Sequence, residues 1–258
     1  MRMTLAGIGV VVVGLIVLIV LNRDSSDGTL SPTTSDNVAT TTTNDEDEPV
    51  PVDAGATACP AENGSSPRTI DFAGPQPMCI DPGDTHVAIF DTSEGEIRVT
   101  LDTQNTPGTV NNFVTLARWG YYDGTTIHRT DPSIDIIQGG SPHTENAADP
   151  GPGYTILDEP QFEQDAAGNL TGPYRYVPGQ LVMARSRGTN SGSAQYFFTT
   201  GPNAALLDGQ GIYVVFGNTD DDGLSVLQQI IGLHEPGGQL GGAPSRPVTI
   251  NSILIEVS

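Results

Sequence analysis

Residues 86–102 read "HVAIFDTSEGEIRVTLD", and this stretch decides the fold that the sequence predicts. Apolar and polar side chains alternate on either side of Ser93, Glu94 and Gly95. Such alternation is typical of strands with one buried face, and a short glycine-containing gap between two alternating runs indicates a β-hairpin. The compact part of the chain is therefore predicted to begin with two antiparallel strands.

An amphipathic helix is predicted directly after the hairpin. In "TPGTVNNFVTLARWG", residues 106–120, Thr106 is the expected N-cap and Pro107 the first helical residue. Apolar side chains then recur at helical spacing, at Val110, Phe113, Val114 and Ala117. One face of this helix is therefore expected to cover a sheet.

The rest of the chain alternates between short apolar runs and turn residues. Several β-like runs separated by Gly, Pro and Asn lead to a second predicted helix, "LSVLQQIIGL", residues 224–233. The chain then ends with a predicted strand in residues 247–258. Many short strands with two helices predict a mainly β fold, a closed barrel capped by helices.

The amino terminus carries a long apolar run, "LAGIGVVVVGLIVLIVL", from Leu5 to Leu21. As a helix it would span roughly 25 Å, the short end of what crosses a bilayer. A cleaved signal peptide is the alternative, but the following "NRDSSDG" offers no small-x-small cleavage site. Residues 1–23 are therefore predicted to be a single-pass anchor in the cell membrane, with the large domain extracytoplasmic.

Two segments separate this anchor from the hairpin. Residues 24–57 hold eight acids and no base and are rich in Thr, Ser and Pro, which predicts a disordered acidic tether. Residues 58–84 form a lead-in segment with the only two cysteines, Cys59 and Cys79. In an oxidising compartment such a pair most simply forms a disulfide, and a two-cysteine metal site is the weaker alternative.

The charge of the chain excludes several functions. The net charge is −21, with a pI near 4.1, which disfavours binding to nucleic acid or to anionic lipid heads. All ten basic residues are arginine, so a Walker-type phosphate loop and a Schiff-base lysine are both absent from the sequence. Neutral or basic partners are expected.

Other sites are poorly supported by the sequence. The four histidines show no zinc-binding spacing, and "GTNSGSAQ" lacks the G-x-S-x-G turn of serine hydrolases. "NTDDDGLSVLQQ", residues 218–229, resembles a calcium loop at its start, but Gln229 stands where the loop needs a bidentate carboxylate. Asp222 as the cap of the second helix explains the same residues. No metal or other cofactor is predicted.

Three stretches, taken together, carry a family resemblance. They are "GTTIHRTDPSIDIIQGGSP" (124–142), "GQLVMARS" (179–186) and "SGSAQYFF" (191–198), with "VVFGN" further on. Together with the hairpin and the first helix they resemble the cyclophilin family of peptidyl-prolyl cis-trans isomerases over residues 85–258. The resemblance implies an eight-stranded antiparallel barrel capped by two helices, with a proline site on its outer face.

The resemblance also implies an activity and its partners. A bacterial, membrane-anchored member would rotate X-Pro bonds in proline-containing peptides and unfolded exported proteins, as a monomer and without a cofactor. The residues that match the family's catalytic positions are Arg129, Gln138 and Phe197. The residues matched or assigned to substrate binding are Met183, Ala184, Gln195, Leu206, Leu207, Tyr213, Ile134 and Ile136.

The sequence departs from the family pattern near Arg129. The interval to Gln138 is one residue longer than usual, and Asp135 stands where the family has phenylalanine. Ile134 or Ile136 is then expected to fill that wall of the proline pocket. Because of this change, a cyclophilin-like module that binds proline segments without catalysis stays open as the alternative function.

Overall fold

The computed structural model describes residues 58–186, 188–238 and 240–258. The predicted anchor, residues 1–23, and the predicted tether, residues 24–57, lie outside these ranges. Within them, no helix combines the length and the apolar character needed to cross a bilayer.

The strands and helices of these ranges alternate along the chain. The strands are β1 (His86–Thr92), β2 (Gly95–Leu101), β3 (Thr125–Thr126), β4 (Arg129–Asp131), β5 (Ile136–Gly139), β6 (Glu163–Gln164), β7 (Leu170–Thr171), β8 (Gln180–Arg185), β9 (Gly192–Thr199), β10 (Val215–Thr219), β11 (His234–Pro236), β12 (Gly242–Pro244) and β13 (Thr249–Val257). The helices are α1 (Pro107–Arg118), a 3-10 helix (Pro202–Gly209) and α2 (Asp221–Ile231).

The predicted hairpin is confirmed. Strands β1 and β2 pair antiparallel, with Phe90 opposite Ile97 and Thr92 opposite Gly95. Gly95 has a φ of 136°, a backbone conformation that favours glycine, and this allows the tight reversal. Phe90 and Ile97 are buried, so the alternating apolar positions do form the inner face of the sheet.

The main sheet is antiparallel and curled. Its strand order is β11-β12-β4-β5-β9-β8-β10-β2-β1-β13-β3. Residues 125–131 contribute strands near both ends of this order. Strand β3 pairs with β13 at one end, and β4, only a few residues later in the chain, pairs with β5 near the other end. The sheet must therefore curl, so that its two ends lie close together in space.

The predicted mainly β, antiparallel fold is confirmed, but the described residues form a curled half-barrel rather than a closed barrel, and the predicted count of elements is wrong. Among the described residues the main sheet has eleven strands rather than eight, and a 3-10 helix accompanies the two α-helices. Short strands such as β11 and β12 account for the difference, since runs of three residues carry no periodic signal that a sequence could reveal.

The predicted first helix is confirmed, but its amino terminus is capped from elsewhere. Thr106 is the N-cap residue, yet its side chain makes no capping hydrogen bond. The carboxylate of Glu159 instead accepts from the backbone N–H groups of Gly108 and Thr109 at 2.9 and 2.7 Å. A negative charge there stabilises the free N–H groups and the helix dipole.

The N-cap of the second helix lies two residues earlier than predicted. Asp220, not Asp222, is its N-cap, and its carboxylate accepts from the Gly223 N–H at 2.9 Å. Asp222 lies in the first turn, where a carboxylate interacts favourably with the dipole without capping.

The lead-in segment is tied to the domain. Cys59 and Cys79 form the predicted disulfide, with their Cα atoms 5.4 Å apart. The Cys79 N–H donates to the side-chain oxygen of Asn111 in α1 at 2.7 Å. Phe72 and Ile80 of the same segment are buried in the main core. Residues 58–84 therefore pack as part of the folded domain.

Candidate active site

A second apolar cluster lies on the opposite face of the sheet from the main core. Along β9, Tyr196 and Phe198 point into the core, whereas Phe197 points to the other face. Successive side chains of a strand alternate in this way. We call the second set the outer cluster; its buried members are Ile136, Tyr176, Val182, Phe197, Ala204 and Tyr213.

Polar side chains continue this face beside the outer cluster. Cross-strand pairing places Arg129 opposite Gln138, and Gln138 opposite Phe197. Directly paired residues of neighbouring strands share a face. A row that runs from a guanidinium through an amide to a phenyl ring therefore crosses strands β4, β5 and β9.

Hydrogen bonds connect the polar part of this row. Arg129 Nη1 donates to Gln138 Oε1 at 3.1 Å, and Gln138 Nε2 donates to Gln195 Oε1 at 2.8 Å. Gln195 Nε2 in turn donates to the Ala147 carbonyl at 3.3 Å. An arginine can only donate, so the Gln138 side-chain oxygen must face Arg129 and its NH2 group must face Gln195. We call this series of hydrogen bonds the relay.

Two further contacts hold the Arg129 guanidinium. Its Nε donates to the Leu240 carbonyl at 2.6 Å, and its Nη2 donates to Asp131 Oδ2 at 2.9 Å. Both side chains of the ion pair are 12% exposed. Asp131 was not singled out from the sequence, and its spacing of two residues along a strand is the signal that could have found it.

Asp135 does not line the outer cluster. Its carboxylate accepts from the Asn203 N–H at 2.7 Å, and its carbonyl accepts from the Thr200 N–H at 2.8 Å. The residue has a φ of 47° and so turns towards the amino terminus of the 3-10 helix. Ile136 is buried in the outer cluster and Ile134 packs against it. That either isoleucine forms a wall of a proline pocket stays a prediction.

Tyr213 closes one side of the outer cluster. Its ring lies edge-on to Phe197, with the centroids 5.6 Å apart. The Tyr176 hydroxyl donates to the Tyr213 carbonyl at 3.0 Å and accepts from the Tyr213 N–H at 2.8 Å, which fixes this backbone. Burial raises the pKa of Tyr213, so its hydroxyl stays protonated at neutral pH.

Three further predicted groove residues have different outcomes. Ala184 and Leu207 pack against the outer cluster, and their roles in substrate binding stay predictions. Leu206, the neighbour of Leu207 in the 3-10 helix, is 69% exposed and does not belong to the cluster. A role for Leu206 in substrate binding therefore stays a prediction for the rim of the site.

The prediction that Met183 lines the groove is wrong. Its side chain is buried in the main core, on the inner face of β8. Val182, one residue earlier, pairs with Phe197 and belongs to the outer cluster. Because directly paired residues of β8 and β9 share a face, the pairing of Val182 with Phe197 places Val182, and not Met183, on the face of the outer cluster.

His128, the neighbour of Arg129, is not suited to proton transfer. Burial, and then the positive charge of Arg129, lower the pKa of His128 to about 4. Neither of its ring nitrogens has a hydrogen-bond partner among the described residues. The histidine is therefore neutral near pH 7, and Arg129 is the cation of this site.

The structure thus combines a curled antiparallel sheet with a guanidinium beside an apolar cluster on its outer face. A family model described as cyclophilin type peptidyl-prolyl cis-trans isomerase/CLD matches residues 87–255. The chain belongs to this family.

Individual proteins agree with this assignment. A probable peptidyl-prolyl cis-trans isomerase B of Mycobacterium tuberculosis is 36% identical over 180 residues, which are 68% of this chain and 56% of the relative. A peptidyl-prolyl cis-trans isomerase of Synechococcus elongatus is 37% identical over 135 residues, 52% of this chain and 81% of the relative. The chain thus spans little more than half the length of its Mycobacterium relative.

A solved structure shares the fold. The crystal structure of a cyclophilin type peptidyl-prolyl cis-trans isomerase from Cryptosporidium parvum aligns with a TM-score of 0.50 and 24% identity. The alignment covers 67% of this chain and 98% of that chain.

Proposed function

We propose that the protein accelerates cis-trans rotation about X-Pro bonds, with Arg129 as the catalytic cation. The observation that carries this proposal is the row in which Arg129, Gln138 and Phe197 share one face of three paired strands. It sets a fixed cation beside an apolar cluster.

The free hydrogen-bonding groups of this row suit a proline. Gln138 and Gln195 each use their side-chain carbonyl inside the relay, so each keeps one amide N–H for a ligand. The peptide nitrogen of proline carries no hydrogen and can only accept. A groove that presents donors beside an apolar cluster therefore matches a peptide that contains proline.

The guanidinium can lower the rotational barrier. That barrier is about 18 to 20 kcal/mol because the nitrogen lone pair is delocalised into the carbonyl. Twisting the bond returns the lone pair to nitrogen, where a donor from Arg129 can bind it. This hydrogen bond is stronger in the twisted transition state than in the planar ground state, and such a difference is what accelerates a reaction.

The other residues then hold the substrate. Phe197, Tyr213 and Val182 form the floor and wall that keep the proline ring still. The two glutamines bind backbone carbonyls on either side of the bond. Holding one end of the bond while the other rotates restricts the substrate to the reactive geometry.

A second function is favoured by one specific contact. Arginines often form ion pairs with a purely structural role, and Arg129 forms such a pair with Asp131. The carboxylate also weakens the positive electrostatic potential that a bound peptide would meet. A chain with such a pair could bind proline segments without turning them over. Non-catalytic binding is therefore the competing proposal.

One NMR experiment separates the two functions. The purified full-length chain is titrated into an Ala-Pro-containing tetrapeptide, and both the cis-trans exchange rate and the peptide shift changes are recorded. Faster exchange with saturable shifts supports the enzyme. Saturable shifts with unchanged exchange support the binding module and contradict catalysis.

We also propose that the protein is a monomer held in the cell membrane by residues 1–23, with its catalytic domain extracytoplasmic and acting on exported proteins. The apolar run of residues 5–21 supports the anchor. The Cys59–Cys79 disulfide supports an oxidising compartment. In whole cells, an impermeant protease should remove the domain and leave the amino terminus with the membrane. Complete protection of the domain would contradict this location.

A further inference from the structure

Asp131 lies two residues after Arg129 in β4, and its carboxylate makes one of the contacts that hold the guanidinium. Arg129 has five N–H donors. Three of them are used inside the protein, by Leu240, Gln138 and Asp131. One N–H on each terminal nitrogen is left, and the directions of these two donors are fixed by the three contacts.

The carboxylate that takes part in this arrangement is itself immobilised. Asp131 Oδ1 accepts from the Ser133 backbone N–H at 3.2 Å and from the Ser133 hydroxyl at 2.5 Å. Its other oxygen is left for Arg129. The acid therefore bridges the turn after β4 and the guanidinium.

A second ion pair of the protein lies on the surface and serves as a comparison for the solvent exposure of the Arg129–Asp131 pair. Arg98 and Glu256 lie on β2 and β13, and their side chains are 43% and 59% exposed. The side chains of Arg129 and Asp131 are each 12% exposed. Solvent competes with the first pair far more than with the second.

We infer that Asp131 is a positioning residue for the isomerisation: it fixes the plane of the Arg129 guanidinium so that the two remaining N–H groups face the groove before a peptide binds. This inference rests on the proposed isomerase function. The carboxylate reduces the net charge that the substrate meets, but a donor already oriented needs no reorganisation when the lone pair develops. Misplacement of a catalytic group by about 1 Å can cost about 100-fold in rate.

Two substitutions in the full-length chain separate the effect of the hydrogen-bond acceptor at position 131 from the effect of its negative charge. Asp131→Leu removes the charge and both hydrogen-bond acceptors. Asp131→Asn keeps one acceptor oxygen, for Nη2, while its NH2 group faces Ser133, where it loses the contact with the backbone N–H and can donate only to the hydroxyl. Glu256→Gln is the matched control, since it alters an arginine partner outside the groove. Exchange rates at varied peptide concentration give kcat and KM, and nitrogen-15 spectra follow the Arg129 side-chain N–H signals, assigned by their loss in Arg129→Ala.

The expected result is a fall of kcat by about 10-fold or more in Asp131→Leu, with KM within about two-fold. Asp131→Asn should recover kcat to within about three-fold of the unsubstituted chain. The Arg129 N–H signals should be separate in the unsubstituted chain and in Asp131→Asn, and those of Nη2 should merge in Asp131→Leu, where rotation about the Cζ–Nη2 bond no longer breaks a contact. Glu256→Gln should leave both readouts unchanged.

The inference fails if Asp131→Leu keeps kcat and separate Arg129 signals, or if Asp131→Asn is as impaired as Asp131→Leu. A failure of the proposed function has a different signature, because the unsubstituted chain would then not accelerate exchange at all. In that case the Arg129 signals still decide whether Asp131 orients the guanidinium: unchanged signals in Asp131→Leu overturn the inference.

Discussion

Arg129 and Arg185 each lie at one end of a strand beside the outer cluster, and each is paired with an aspartate. Arg185 follows Ala184 at the end of β8 and contacts Asp158 at 3.5 Å. Both of these side chains are only 4% exposed, against 12% for Arg129 and Asp131. The two arginines thus have similar partners but different access to the groove.

The remaining contacts of Arg185 are all structural. Its terminal nitrogens donate to the carbonyls of Ile212 and Gly188, and its guanidinium lies 4.9 Å from the centre of the Phe162 ring. These contacts connect loop segments to β8, and the Nε of Arg185 is buried without a hydrogen-bond partner among the described residues. The comparison teaches that burial and an acidic partner do not by themselves distinguish a catalytic arginine. Arg129 differs from Arg185 in sharing one face of three paired strands with Gln138 and Phe197.

The largest expected effect comes from breaking the structural pair. Arg185→Met leaves Asp158 charged and buried without its cation, which should lower the free energy of unfolding by about 3 to 5 kcal/mol. Urea unfolding of Arg185→Met measures this loss. In the double variant with Asp158→Asn the loss should be smaller, and an equal or larger loss would mean that the pair itself is not the cause.

The next effect separates the two faces of β8. Met183→Ala should cost about 2 to 5 kcal/mol of stability because it opens a cavity in the main core, with KM for the peptide unchanged. Val182→Ala should instead raise KM several-fold, since Val182 belongs to the outer cluster. Unfolding curves and exchange kinetics of both variants check this. A raised KM in Met183→Ala, with KM unchanged in Val182→Ala, would indicate that Met183 contacts the peptide.

A smaller effect is expected at the hairpin that carries Leu240. Gly241 has a φ of 102°, and a Cβ there would lie 2.7 Å from the Thr130 carbonyl oxygen. Gly241→Ala should therefore move the Leu240 carbonyl away from Arg129 and lower kcat by about 10-fold, or about 1.4 kcal/mol of activation free energy. Gly237→Ala, where a Cβ meets nothing within 4 Å, is the control and should keep kcat.

The smallest effect is a dependence of stability on pH. Burial alone lowers the pKa of His143, but the carboxylates of Asp71 and Asp149 outweigh burial, and the net pKa is raised. A raised pKa in the folded state stabilises below the unfolded value, near 6.5, and this stabilisation is lost as the pH rises through the folded value. His128, whose pKa is lowered, contributes the opposite slope, so the effect of His143 is read as a difference between two chains. Relative to His143→Gln, the unfolding free energy of the unsubstituted chain should fall by less than about 1 kcal/mol between pH 6 and 8. An unchanged difference over this range would contradict the assignment to His143.

The sequence predicted those features that depend on local pattern. In the hairpin around Gly95 and in the helix that begins at Pro107, apolar side chains recur at the spacing of a strand or a helix. This spacing can be recognised in the sequence without knowledge of the fold. Arg129, Gln138 and Phe197 were found through motif resemblance, and pairing across β4, β5 and β9 brings them together.

The features that the sequence did not predict depend on distant contacts. The Leu240 carbonyl meets Arg129 across 111 positions of the chain, and Asp135 reaches Asn203 across 68. Neither contact leaves a local signal. The error at Met183 has another cause, since a strand of buried residues on both faces gives no alternation that would reveal which side chain faces the groove.

The central claim is that Arg129, and not Arg185, supplies the donor that assists rotation. The most direct measurement is the cis-trans exchange rate of a saturating X-Pro peptide bound to the Arg129→Ala chain, with Arg98→Ala as the surface-arginine control. We predict a rate lower by about 100-fold or more in Arg129→Ala, with peptide affinity within a few-fold and Arg98→Ala unaffected. An Arg129→Ala rate within about three-fold of the unsubstituted chain would contradict the claim.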